Sequence, residues 1–494
     1  MNFVSTRDIN KTANSAEAIA YGLANDGGLF APLTLPNFSL EDIAYLSQKS
    51  YSELVAFVAE PFLPGFIYEE LGAFTNCAYS NFPSNPAPIV SLDEKTHILE
   101  LFHGPTLAFK DFALSLLPHL LTASLKKLNI SKTAVILAAT SGDTGSAALE
   151  GFANISGAKI CVFYPQGGVS NIQRLQMTSK AETNVKVIGI KGNFDDAQSG
   201  VKNIFSDFAV GAKLEEAGYI LSSANSINWG RIVPQIAYYF SAYTNLVNTG
   251  KLTFGKPMNV VVPTGNFGNI LAAYYAKKCG LPIHKLICAS NSNNVLTNFI
   301  STGVYDRKRT FLATISPSMD ILISSNLERF LFELYNHDGE AVKTLITALA
   351  EEGRYKITHE AHKVVEELIY AGYADDKATL AIIKETWQKY GYLSDTHTAV
   401  GIKVYREYIE KNSNDKTPTI IAATASPFKF ADSTLEALGV SALGDDFEKL
   451  AKLSEISGIA IPKPLGNLMN KEECHKTLCN LNEMKSQLFD WLKL

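Results

Sequence analysis

The sequence has no surplus of positive charge: 44 Lys and Arg stand against 49 Asp and Glu, a formal net charge of -5. That balance excludes wrapping a nucleic-acid backbone or holding an anionic membrane, and points to a small-molecule partner. Cysteine is sparse. The six are spread over 494 residues, and the closest pair, Cys474 and Cys479, has neither zinc-type spacing nor a second pair to complete a site. Reduced thiols in a cytoplasm and no metal are the expectation. Long apolar runs are missing too: none reaches the roughly 18 residues a membrane helix needs, and the polar start lacks the apolar centre of a signal peptide. Internal repeats and low-complexity tracts do not occur, so boundaries must come from changes of pattern. With 46% hydrophobic and 19% charged residues, the chain has material for a large core. Its length allows two or three domains at roughly 100 to 200 residues each.

Residues 1–85 alternate short helix-like stretches, Ser15 to Gly22 and Leu40 to Gln48, with Gly and Pro breaks, and end in the Pro-rich Asn81 to Pro88, which reads as a linker. From His97 onward, apolar runs alternate with helix-period segments. The strand candidates are His97 to Phe102, Ala134 to Ala139, Lys159 to Tyr164, Val185 to Ile190, Asn259 to Pro263 and Lys285 to Ala289. The helix candidates include Ala108 to Leu125, Gly145 to Ala153, Phe194 to Ala209 and Gly268 to Cys279. Such alternation predicts an open, parallel α/β core. A helix-rich stretch around 324–411 precedes one more strand candidate, Pro418 to Thr424, and residues 436–494 read as a helical segment after a catalytic region of 86–435.

Chemistry concentrates in three turns, each between an apolar strand and a helix, where open α/β sheets bind ligands. Pro263-Thr264-Gly265-Asn266-Phe267-Gly268-Asn269 can hold a phosphate, because its glycines let the backbone come close and the first amides of the helix point outward. It lacks the Lys-Ser/Thr ending of a nucleotide P-loop, and no Gly-x-Gly-x-x-Gly fingerprint occurs at these turns, which argues against ATP and NAD. Ala139-Thr140-Ser141-Gly142-Asp143-Thr144-Gly145 gathers hydroxyls and amides suited to a carboxylate, although Asp143 or Ser141 could simply cap the helix. In the third turn, Lys110 stands between Leu107-Ala108-Phe109 and Asp111-Phe112-Ala113. Apolar surroundings disfavour the ammonium form and make a better amine nucleophile, whereas an ordinary lysine opening a helix is a solvated charge.

Together these turns resemble the threonine synthase family, whose pyridoxal-phosphate fold is shared with the tryptophan synthase β chain. Further blocks are similar to it over nearly the whole chain: Ser5-Thr6-Arg7, Gly22 to Phe30, Asn225 to Arg231, Pro317-Ser318-Met319-Asp320-Ile321, Ser325 to Arg329 and Thr424 to Phe430. The resemblance implies an open parallel-sheet fold with an additional amino-terminal domain, pyridoxal 5'-phosphate as cofactor, and conversion of O-phospho-L-homoserine and water to L-threonine and phosphate by a monomer or homodimer. It implies that Lys110 carries the cofactor covalently, that Gly265, Asn266, Phe267, Gly268 and Asn269 hold its phosphate, and that Thr424 faces its ring nitrogen. Thr140, Ser141, Asp143 and Thr144 would surround the substrate carboxylate, and Ser226, Asn228 and Arg231 its phosphate; a structural ion pair is the plainer role for Arg231. In Asp395 to Gly401, Thr396 stands where proline is usual, which leaves that turn open. His359 and His362 lack a third ligand and read as surface residues, and His103 as a turn residue. A phospholyase that releases a 2-oxo acid, or a non-catalytic cofactor-binding protein, remain the alternatives.

Overall fold

A computed structural model describes residues 2–140 and 142–494. Runs of β-branched residues form strands here because such side chains pack well on a pleated surface, and strands covered on both faces need no polar alternation. Met258–Pro263 and Thr419–Ala423 are accordingly buried at every residue. Among the described residues, the larger sheet has the spatial order Ile369–Tyr373, Ile283–Ser290, Met258–Pro263, Thr419–Ala423, Thr96–Glu100, Ile89–Ser91. Its neighbours pair in parallel, except that Ile89–Ser91 runs antiparallel to Thr96–Glu100. A smaller, wholly parallel sheet runs Leu478–Cys479, Val185–Ile190, Ala158–Pro165, Thr133–Ala139, Tyr219–Ser222. The helix Trp229–Asn248 packs against both Lys110–Lys127 and Gly268–Lys278. Its Trp229, Tyr238, Tyr239 and Phe240 have no exposed surface, so it is a core helix and not an amphipathic cover.

The parallel α/β core is as expected, with differences of detail. Residues 1–85 contain a three-stranded antiparallel sheet, ordered Asp8–Ala13, Phe3–Ser5, Phe30–Pro32, where only helices were read. Two of its strands have three residues and the third is mostly exposed, which is too short or too polar for a periodic signal. The helix-rich stretch supplies the strand Ile369–Tyr373 to the edge of the larger sheet, so it is part of that sheet. The strand follows directly on the helix His359–Leu368, which hides the change of period. The 436–494 segment likewise adds Leu478–Cys479 to the smaller sheet. Tyr219–Ser222 was missed as well, and the helix expected over 194–209 ends at Ser206. There Asp207 caps a second helix, Phe208–Glu216, by accepting from the Ala209 and Val210 amides. Boundaries at 85 and 435 stand as our proposal for the domains.

Candidate active site

Three adjacent strands of the larger sheet deliver the candidate residues side by side at their carboxyl ends. Met258–Pro263 leads into Gly265–Asn269, Thr419–Ala423 into Thr424, and Thr96–Glu100 into the loop before Lys110. The smaller sheet supplies the fourth turn, because Thr133–Ala139 ends at Thr140. The lysine loop is tied down by its neighbour: the Phe109 amide donates to the Thr424 carbonyl at 2.9 Å, and the Ser426 amide to the Leu107 carbonyl at 3.1 Å. Leu107 and Phe267 hold left-handed backbone at φ 60° and 64°. For bulky side chains that conformation costs on the order of 1–3 kcal/mol, and it falls in the two turns that would meet the cofactor.

Lys110 opens the helix Lys110–Lys127 with its side chain 13% exposed. Its Nζ lies 3.4 Å from Asp143 Oδ2 and 3.3 Å from Ser318 Oγ. Burial lowers its pKa from the ordinary lysine value; Asp143 opposes that shift, and the positive charges of Lys429 and Arg231 add to it. Lys110 is therefore buried, but the groups nearest its amine are polar and charged where the sequence led us to expect apolar ones. Asp143 does not cap its helix, since the capping position is Gly142. Its carboxylate instead pairs with Lys429 Nζ at 2.6 Å and accepts from Gln173 Nε2 and Ser318 Oγ, each at 3.0 Å. Burial works against that charge, but Lys429 and Lys110 outweigh it and hold the carboxyl well below the usual range. A carboxylate so placed repels a second one, and we propose that Asp143 anchors Lys110 instead of facing the substrate carboxylate.

The Gly265–Asn269 turn has the chemistry of an anion cradle. The first intrahelical bond runs from the Leu271 amide to the Phe267 carbonyl, so the amides of Phe267, Gly268, Asn269 and Ile270 find no carbonyl within the helix. Asn269 Nδ2 is buried without a partner among the described residues, while its Oδ1 accepts from Tyr238 at 2.7 Å and from Tyr239. A Cβ on Gly268 would meet protein atoms only at 3.5 Å or beyond, so packing alone does not demand glycine there. A Cβ on Gly265 would stand 2.8 Å from the carbonyl oxygen of Ser318, the residue whose hydroxyl touches Lys110. Amine and cradle thus lie on either side of one residue, and both fit pyridoxal phosphate.

Arg231, 3% exposed, donates from one terminal nitrogen to the Ala224 carbonyl at 3.0 Å, while its Nε is buried without a partner among the described residues. Burial alone pushes its pKa down to about 10, and among the described residues no structural ion pair is found. Ser226 Oγ lies 3.5 Å from Ser325 Oγ, whose own hydrogen bond reaches Asn266 at 3.4 Å. Asn228 is otherwise engaged: it caps Trp229–Asn248 through Gly230 and donates to the Ile19 and Ser223 carbonyls. We therefore leave it out of the proposed phosphate set. Thr140 Oγ1 accepts from the Gly142 and Gly145 amides at 2.9 and 2.8 Å, shaping its turn, and Thr144 is half-buried. Ser141 lies outside the described residues. Lys429, Ser318 and His397, for which the sequence alone suggests no role, each lie in a block that resembles the family. Elsewhere, His362 meets the Ile300 carbonyl at 3.0 Å, His359 is exposed, and His103 pairs with Glu100 at its turn. Asp395 caps the helix Thr396–Lys411 with Thr396 at its first position, so that turn forms without proline.

A family model described as pyridoxal-phosphate dependent enzyme matches residues 85–425, and with this fold it makes the chain a pyridoxal-phosphate enzyme. Models for the threonine synthase N terminus and C-terminal region match residues 2–79 and 398–486. Threonine synthase of Pseudomonas aeruginosa is 39% identical over 480 residues, covering 96% of this chain and 94% of that protein. Threonine synthase-like 1 of Homo sapiens is 42% identical over 444 residues, 87% of this chain, which spans only 58% of that protein's length. A crystal structure of threonine synthase from Brucella melitensis with pyridoxal phosphate bound superposes with TM-score 0.89 at 38% identity and full coverage of both chains. The yeast enzyme gives 0.89 at 34%, covering 100% and 99%. The chain belongs to the threonine synthase family.

Proposed function

We propose that the chain is a threonine synthase that converts O-phospho-L-homoserine and water to L-threonine and phosphate by γ-elimination and β-addition of water. The observation that carries this reading is Arg231, a buried guanidinium with no carboxylate partner among the described residues, close enough to Lys110 to depress its pKa. It calls for an anion in addition to the one the Gly265–Asn269 cradle would take, and a phosphorylated amino-acid substrate brings one. Pyridoxal phosphate, when bound, supplies the electron sink for charge left beside the substrate amino group. Gly265, Asn266, Phe267, Gly268 and Asn269 would grip the cofactor phosphate. Thr424 would face its ring nitrogen with a hydroxyl in place of a charge. Lys110 would bond to the cofactor, then act through Nζ as the base that takes the α-proton and later returns it. Arg231 and Ser226 would hold the substrate phosphate until it leaves the γ-carbon, while Thr140, Ser141 and Thr144 would orient the carboxylate.

The test incubates purified holoenzyme with O-phospho-L-homoserine and quantifies threonine, phosphate and 2-oxo acid, while borohydride reduction and peptide mapping locate the cofactor. Equal amounts of threonine and phosphate, with the label on Lys110, are expected. A 2-oxo acid as main product identifies a phospholyase, and bound cofactor without turnover a binding protein. Lys110→Ala should abolish turnover and keep much of the cofactor's phosphate-mediated affinity.

A further inference from the structure

A neutral amine has two N–H donors and one lone pair, so its reactivity depends on where those donors are spent. Lys110 Nζ has two acceptors within reach, Ser318 Oγ at 3.3 Å and Asp143 Oδ2 at 3.4 Å. The Ser318 hydroxyl donates to the same Asp143 oxygen at 3.0 Å, which leaves its lone pairs facing the amine. With both N–H groups engaged by these two acceptors, the lone pair is the part of the amine left uncommitted.

Ser318 sits in a short 3-10 turn, Pro317–Met319, an element too small to hold a hydroxyl by itself. Its backbone amide donates to His397 Nε2 at 3.1 Å. A ring nitrogen that accepts is unprotonated, so the imidazole proton is on Nδ1, where Asp395 Oδ1 receives it at 3.0 Å. Asp395 also takes the His397 amide at 2.8 Å and the Thr398 hydroxyl, and the Phe430 ring packs edge-on against the imidazole at 4.9 Å. Asp395 and His397 are 1% and 2% exposed, so water does not compete for these bonds. Phe430 adjoins Lys429, the cation that fixes Asp143. The two acceptors of the Lys110 amine are thus held by separate partners, Ser318 through His397 and Asp143 through Lys429.

We propose that Ser318 is a catalytic residue that directs the lone pair of the Lys110 amine, and that His397 and Asp395 are positioning residues that hold Ser318 in place; this rests on Lys110 being the cofactor-bearing lysine. Ser318→Ala removes the hydroxyl and keeps the amide bond to His397. His397→Gln keeps an acceptor near Nε2, whereas His397→Leu does not. In Ser318→Ala holoenzyme, kcat should fall about ten- to a hundredfold with KM changed less than about threefold, as loss of orientation predicts. The rate at which cofactor-free protein captures pyridoxal phosphate covalently, followed by absorbance, should fall in parallel. His397→Leu should reproduce both losses and His397→Gln should recover most of them. Unchanged kcat and capture rate in Ser318→Ala overturn the proposal, and so does equal impairment of the two His397 variants with the fold intact. If His397→Leu does not fold, Ser318→Ala alone decides. Mapping of the wild-type label keeps the two readings apart: a label on another lysine rejects the assignment of Lys110, while a label on Lys110 with an unaffected Ser318→Ala rejects only this role.

Discussion

Lys429 and Asp143 form a buried ion pair, Lys429 wholly enclosed and Asp143 nearly so, and the Lys110 amine lies against the same carboxylate. Removing the shared anion leaves buried positive charge unmatched, which costs about 3–5 kcal/mol at comparable sites. Asp143→Asn should therefore lower unfolding free energy in urea by about 3 kcal/mol, and Lys429→Met in the same chain should restore part of it. Full additivity of the two changes would show that they do not share one charge. Two carboxyls should also respond to pH in opposite senses. The Asp143 pKa is depressed on folding, so its contribution is complete above about pH 4 and fades as pH falls through the folded value. Burial pushes Asp111 up from the ordinary 3.8 to about 6, so the folded chain holds that proton more tightly and stability declines as pH rises from about 4 to about 6. Asp111→Asn should remove that decline, measured as the urea midpoint at each pH. For Arg231, replacement by Ala should leave the cofactor spectrum intact and weaken use of O-phospho-L-homoserine by the ~2–5 kcal/mol typical of truncated charge pairs. Lys there should rescue only partly, since a point charge replaces a planar fork. Steady-state kinetics with phosphate inhibition decides it; wild-type values in Arg231→Ala would remove the residue from the substrate site.

The Gly265–Asn269 turn separates two reasons for glycine. At Gly265 an added Cβ would strike the Ser318 carbonyl, so Gly265→Ala should disturb the protein itself and lower its stability even without cofactor. At Gly268 the protein leaves room for that carbon. Gly268→Ala should keep the cofactor-free melting temperature within a few degrees and still weaken pyridoxal phosphate binding, because the methyl occupies space a phosphate would approach. Fluorescence titration with pyridoxal phosphate, beside thermal melts of cofactor-free protein, distinguishes the cases. Equal affinity of Gly268→Ala and wild type would move the cradle elsewhere.

The amino-terminal segment is fastened to the catalytic region by residues that look unrelated in the chain. Arg7 meets Glu328 through two bonds of 2.9 Å, Thr6 adds one of 2.6 Å, and neighbouring Arg329 donates to the carbonyls of Phe30 and Ile227 at 2.8 and 2.5 Å. The block that carries Glu328 and Arg329 also reaches the Gly265–Asn269 turn, where the Asn326 amide donates to the Asn266 carbonyl at 3.0 Å. The first residues and the Gly265–Asn269 turn therefore lean on one short block, Ser325 to Arg329. Glu328→Ala should lower stability by about 2 kcal/mol, the scale of a buried charged partner left unsatisfied, and raise the dissociation constant for pyridoxal phosphate several-fold. Loss of stability with unchanged cofactor affinity would show that the segment only adds core.

What could be read along the chain is what depends on near neighbours: apolar runs that become strands, the glycines and hydroxyls of three turns, and the apolar flanks of Lys110. Each of these is a local demand on solvation or backbone geometry, visible within about a dozen residues. Short or polar pieces such as Asp8–Ala13 and Ile369–Tyr373 carry no such signal and become strands only because a partner edge accepts their hydrogen bonds. The pairing of Asp143 with Lys429, the use of Asn228 as a cap, the isolation of Arg231 and the line from Asp395 through His397 to Ser318 join separate loops. Burial strengthens each of those interactions, and burial is a property of the packed sheets and helices, so only folding decides which charge finds a partner and which does not.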